Sequence, residues 1–129
     1  MVICLGAATH HVMAGFGGGR KSILPGISGR ETIFHNHAFS LDAAALRSNP
    51  AVGNGILQGN PLHEDMCEAA GLVKNLFMVN LVMNTQMRLA AIFSGHYLTS
   101  WERACRAVNR IYQVDVPRKA DVVITSCGG

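Results

Sequence analysis

The 129-residue chain carries 11 Lys and Arg against 8 Asp and Glu, a formal charge of +3 with its six His neutral, and it is long enough for one domain with its own core. Charged residues make up only 15% and hydrophobic residues 49%, so little polar surface that part of the domain is expected to be covered by another domain, another subunit or a cofactor. Aromatics at 6% and the lack of any basic run argue against a nucleic-acid partner, and no apolar run reaches the ~18 residues of a membrane span.

Residues 2–8 read as a short buried strand. Residues 9–29 are glycine-rich and hold two histidines; within them, 19–23 can open a short helix that stops before Pro25 and Gly26. Residues 29–39 predict a second helix, with Ser28 as cap and Glu31 three residues on. Residues 47–61 read as a loop. Pro61 suits the first turn of a helix over 62–70, ended by Gly71. Residues 74–83 form the strongest strand, paired as a hairpin through Asn84-Thr85-Gln86 with a strand over 87–94.

Residues 97–112 form the clearest helix. Trp101, Ala104, Cys105, Val108 and Ile111 recur at three- and four-residue steps, and Arg103, Arg106 and Arg110 make a solvated face. Residues 120–125, with Asp-Val-Val-Ile-Thr, predict a last strand. Strands alternating with helices give an α/β class: a layered sheet with flanking helices, residues 1–129 as a single domain. The chain opens in a strand and runs out at Ser126-Cys127-Gly128-Gly129, glycines that normally lead into a further element. That reads as a fragment, a piece of a larger enzyme.

Cys4, Cys67, Cys105 and Cys127 form no CxxC pair and sit among apolar neighbours. Buried free thiols in a reducing compartment are expected. With no signal segment at the start, a cytoplasmic setting follows.

The chemistry concentrates in Thr9-His10-His11-Val12-Met13-Ala14-Gly15-Phe16-Gly17-Gly18-Gly19-Arg20-Lys21-Ser22. A glycine-rich link from strand to helix offers free backbone N–H groups to an anion, usually phosphate. Two phosphate-binding templates miss by one residue. The P-loop, counted from Gly15, needs glycine where Arg20 stands, although Lys21 and Ser22 fall correctly; the dinucleotide fingerprint fails at Arg20 too. Arg20 disfavours a second positive charge on Lys21, which would lower its pKa and make it a nucleophile. A lysine binding phosphate as a point charge is the equal alternative. Four of the six histidines, His10, His11, His35 and His37, fall within residues 10–37. Neutral imidazole is both a metal ligand and a general base. His35 and His37 point to different faces of a helix, so only one can face the glycine segment. Two other readings stand beside an enzyme with a reactive lysine: a P-loop-like nucleotide phosphohydrolase, and a non-catalytic nickel-binding module.

His11, Ala14-Gly15-Phe16, Gly18-Gly19-Arg20-Lys21-Ser22, Pro25-Gly26, Gly29, Thr32-Ile33 and Asn36-His37 together resemble the nickel-dependent lactate racemase family. The likeness is specific over residues 9–37 and looser beyond, and places the chain in the middle-to-C-terminal part of such an enzyme. It implies racemisation or epimerisation of a 2-hydroxy acid by hydride transfer to a nickel pincer nucleotide derived from nicotinic acid mononucleotide. Lys21 matches the lysine linked to that cofactor, His37 the nickel ligand and His11 one of two catalytic histidines. Gly15, Phe16, Gly17, Gly18, Gly19 and Ser22 match the cofactor-binding stretch. The second catalytic histidine would belong to a preceding N-terminal domain, so this chain alone is expected to be inactive.

Overall fold

The computed structural model describes residues 1–126 of the chain. Among the described residues eight strands form in chain order: β1 (Val2–Ala7), β2 (His10–His11), β3 (Ala14–Phe16), β4 (Leu41–Asp42), β5 (Arg47–Ser48), β6 (Gly53–Asn54), β7 (Leu76–Met83) and β8 (Leu89–His96). Three α-helices lie among them: α1 (Arg30–Ala38), α2 (Pro61–Gly71) and α3 (Tyr97–Tyr112). The main sheet has the order β1-β7-β8, with β1 parallel to β7 and the β7–β8 hairpin antiparallel. A parallel pair needs a long crossover, and here the crossover holds the glycine-rich segment, α1 and α2. Around that segment β2, β3 and β6 make a small second sheet, and β4 pairs with β5.

The α/β class with flanking helices is what forms. Helix α3 packs across β7 and β8, burying Trp101, Ala104, Cys105 and Val108, while Arg103, Arg106 and Arg110 stay exposed. In α2 the Asn60 side chain accepts from the Leu62 and His63 amides, and Pro61 takes the first helical position, where its missing N–H is harmless. Residues of the glycine-rich segment enter all three apolar clusters. Phe16 packs with Trp101 and Val82, Ala14 and Leu24 with Leu62 and Met66, and Ile23 with Ala70 and Met78. The segment is thus woven through the core.

Four sequence expectations are corrected. Strand β1 forms but is not buried: it is an edge strand, with Ile3 60% and Leu5 68% exposed. Its register sets Ile3 beside Phe77, and β7 sets Leu81 beside Ile92, on a sheet face that α3 does not cover. Residues 120–125 form no strand; Val122, Val123 and Ile124 are exposed, because strand propensity is realised only against a partner edge. Helix α1 begins at Gly29 with no side-chain cap. Ser28 Oγ instead donates to the Ile23 carbonyl (2.8 Å), closing the preceding turn. The second hairpin strand begins at Leu89, after a Met87 with positive φ. Cys4, Cys67 and Cys105 are free thiols, while Cys127 and the two terminal glycines lie outside the described residues.

Candidate active site

Residues 17–24 turn tightly between β3 and α1. Gly19–Ser22 make one turn of 3₁₀-helix, and the chain then passes Pro25. The glycines serve the interior. Gly18, at φ +69, lies against β1 so closely that a Cβ would sit 2.6 Å from the Ala7 carbonyl oxygen. At Gly19, φ +56, a Cβ would enter the Trp101 indole. A Gly19→Ala chain should therefore lose about 1–3 kcal/mol, the usual range for overpacking; a shift of the urea midpoint measures it, and an unchanged midpoint would deny the close approach. Gly15, Phe16 and Gly17 are buried as well, whereas Ser22 is half-buried.

Arg20, which breaks both phosphate-loop templates, is 1% exposed. Its Nη1 donates to the Phe16 carbonyl (2.7 Å), Nη2 to the Ala14 carbonyl (2.6 Å) and Nε to His63 Nδ1 (3.1 Å). The guanidinium lies 3.9 Å from the centre of the Trp101 ring, whose Nε1 donates to the Gly17 carbonyl (2.8 Å). So a desolvated cation ties the turn to α2 and α3, satisfied by carbonyls and an aromatic face. Burial lowers its pKa to about 10, which leaves it charged at neutral pH.

His63 bears the consequence. Burial and the Arg20 charge push its pKa down to about 4. Between the ordinary 6.5 and that value the folded chain binds fewer protons at this ring than the unfolded chain. The stability it contributes is therefore lost as pH falls through that window. The melting temperature should drop from pH 7 to pH 4, and less so in His63→Gln, which keeps an acceptor for Arg20; equal drops would remove His63 from the account.

Lys21, next in the turn, points the other way. Its Nζ lies 2.9 Å from His11 Nε2, at the end of β2. His11 is anchored through Nδ1, which accepts from the Met13 (3.2 Å) and Ala14 (3.0 Å) amides. Burial, then the charges of Lys21, Arg20 and His37, hold His11 below the usual imidazole value. Burial and then Arg20 lower Lys21. His37 is half-buried on α1 and close enough for His11 to feel its charge, whereas His35 is exposed and edges on Phe39. Helix α1 is fastened by a residue that the sequence motif includes but gives no role. Asn36 is fully buried, and its Nδ2 donates to the Leu62 carbonyl (3.0 Å) and Asp65 Oδ2 (2.8 Å). His10 turns away to Asn109 Oδ1 (2.9 Å).

Of the expected residues, His11 and Lys21 thus meet directly, with His37 near enough for its charge to act on His11. Residues 1–48, which contain all three, match the family described as lactate racemase N-terminal domain. The chain is 36% identical along its whole length to the lactate racemase of Thermoanaerobacterium thermosaccharolyticum and 32% identical to that of Lactiplantibacillus plantarum. The chain is thus similar to lactate racemases along its whole length, and its first 48 residues match that family's N-terminal domain. It spans 29% of the length of each of these racemases. Its fold matches the lactate racemase apoprotein of the first organism with a TM-score of 0.75 and 35% identity, over 84% of this chain and 25% of that one. A Thermotoga maritima crystal structure shares the fold at TM-score 0.61 and 20% identity, over 84% of this chain and 27% of that one. The lactate racemase N-terminal match also refines one expectation: Lys21 and both histidines fall within that domain, which does not lie wholly ahead of the chain.

Proposed function

We propose that this chain is part of a 2-hydroxy-acid racemase or epimerase of the lactate type, that Lys21 is the covalent attachment point of a nickel pincer nucleotide, and that His37 is its metal ligand. The observation that carries this reading is the convergence of Lys21 and His11 at 2.9 Å beside His37, inside the segment matched to the lactate racemase N-terminal domain. The residues suit such a group. Lys21 forms no ion pair among the described residues, so its amine is available for an amide-type bond. A half-buried imidazole is a good nickel ligand. No three His, Cys, Asp or Glu gather around a metal position among the described residues; the likeness to lactate racemases implies that the cofactor would supply the remaining ligands. Of the expected cofactor-binding positions, Gly18 and Ser22, near Lys21, are the least buried and would flank the cofactor, while Gly15, Phe16, Gly17 and Gly19 shape the turn from within.

When bound, the cofactor supplies a hydride acceptor for the substrate α-carbon. His11 takes the hydroxyl proton, for which it must be neutral, and its lowered pKa favours that form. Racemisation needs a second base on the opposite side of the substrate. His10 and His63 are engaged elsewhere, with Asn109 and Arg20, and the likeness to lactate racemases implies that this base belongs to the rest of the enzyme. No helix among the described residues is long and apolar enough to cross a membrane, and the three free thiols suit a reducing, cytoplasmic setting. A chiral assay tests the reading. Cofactor-loaded full-length protein should interconvert D- and L-lactate or a related 2-hydroxy acid, and the 129-residue chain alone should not. Failure of the loaded protein on every such acid would overturn it.

A further inference from the structure

The neighbours of His11 decide where its proton sits. Two backbone N–H groups, of Met13 and Ala14, donate to Nδ1. An amide N–H cannot accept, so Nδ1 carries no proton, and a neutral imidazole then carries it on Nε2. The atom facing Nε2 at 2.9 Å is Lys21 Nζ. An ammonium has three N–H donors and no lone pair. Donor against donor makes no hydrogen bond, so the contact requires Lys21 to present a lone pair. The groups around the pair point the same way. No carboxylate forms an ion pair with Lys21 among the described residues, and the charged or titratable side chains acting on the pair, Arg20 and His37, both disfavour added positive charge.

We infer that the Nε2–H of His11 holds Lys21 as a free amine, primed for acylation before any cofactor arrives. The inference deepens the proposed function and rests on it only for the claim that Lys21 is acylated in the working protein. In the step, Nζ forms a C–N bond to the carbonyl or thiocarbonyl carbon of an activated acyl group. The bond from that carbon to its leaving group breaks, and the leaving group departs with the bonding electron pair and the proton shed by the amine. No oxidant or reductant is needed. The amide nitrogen that results has a delocalised lone pair and no longer accepts from Nε2–H. Acylation removes the acceptor facing Nε2, while the Met13 and Ala14 amides still hold the proton there; to act as the base, His11 must also give up those two bonds.

Trace labelling of the full chain with acetic anhydride, read peptide by peptide by mass spectrometry, tests this. Exposed Lys74 and Lys119 serve as internal references. From pH 9 to pH 8 their labelling should fall about tenfold, as the free-amine fraction of a lysine does below its pKa, and that of Lys21 about threefold or less. In His11→Ala the Lys21 profile should move to that of the references. In His11→Gln, whose side-chain amide keeps an N–H donor, it should move less. A wild-type Lys21 profile that coincides with the references would overturn the inference. So would a ¹⁵N spectrum of the unmodified chain with the His11 proton on Nδ1, which needs no variant. If Lys21 tracks the references yet the full-length protein still loads cofactor there, this inference fails alone. If Lys21 is the reactive amine but no cofactor ever attaches, the functional reading fails alone.

Discussion

Replacing Trp101 with alanine should destabilise the chain by about 3–5 kcal/mol, the usual cost of deleting a buried aromatic. The indole is fully buried. It covers the Arg20 guanidinium, stacks on His63 with 5.5 Å between ring centres, meets Phe16 edge-on and bonds the Gly17 carbonyl. Alanine would leave a cavity, an unpaired carbonyl and a desolvated cation with one face bare. Against a total stability of roughly 5–15 kcal/mol, that brings the chain near unfolding and loosens the turn that carries Lys21. Urea titration followed by circular dichroism is the measurement, since Trp101 is the only tryptophan and its fluorescence is lost with it. A change below about 1 kcal/mol would contradict the packing described, because large-to-small core changes rarely cost so little.

In the loaded full-length protein, His11→Ala should lower kcat/KM by roughly 10²- to 10⁴-fold per cofactor-bearing molecule, the range for losing a general base. Normalising to loaded protein separates this from any effect of His11 on loading. His11→Gln should lose as much, since an amide can donate at that place but cannot accept a substrate proton. The pH profile carries the sign of the pKa shift. The base must be neutral, and burial, the largest cause of its lowered pKa, acts whether or not Lys21 is charged, so the acidic limb of kcat/KM in the wild-type enzyme should lie below the ordinary imidazole value. A loss under about threefold in both variants would remove His11 from proton transfer, since even modest general-base catalysis exceeds it.

The parts of the fold legible in the sequence are those set by local periodicity. Helix α3 matches its expected residues 97–112 end for end because its apolar stripe is long and its arginines lie opposite. The 76–83 strand and its hairpin partner follow from apolar runs around a polar turn. The degree to which β1 is buried was not legible, because an apolar run looks the same in an edge strand and a central one. The 120–125 segment has strand composition, but composition does not supply the partner edge. The glycines hold the clearest ambiguity. A missing Cβ can make room for a ligand or for the chain itself, and the group that fills the space at Gly19 is Trp101, far away in sequence. Arg20 was visible as the residue that spoils two phosphate loops; its work as a buried tie between the turn, α2 and α3 depends on contacts only the fold creates. The reactive pair was half-visible. Arg20 next to Lys21 signalled a lowered pKa, and the resemblance marked His11 and Lys21, but their direct hydrogen bond follows from β2 turning back toward the 3₁₀ turn.

The proposed attachment of the cofactor at Lys21 has a signature of its own, a change in mass. Intact mass spectrometry of the full-length protein, produced together with its cofactor-making enzymes and set beside a Lys21→Ala variant, tests it most directly. The wild type should gain a mass increment equal to the nickel pincer nucleotide, and the variant none. No increment in either protein, with cofactor supply demonstrated independently, would contradict it and leave Lys21 as a phosphate-binding charge.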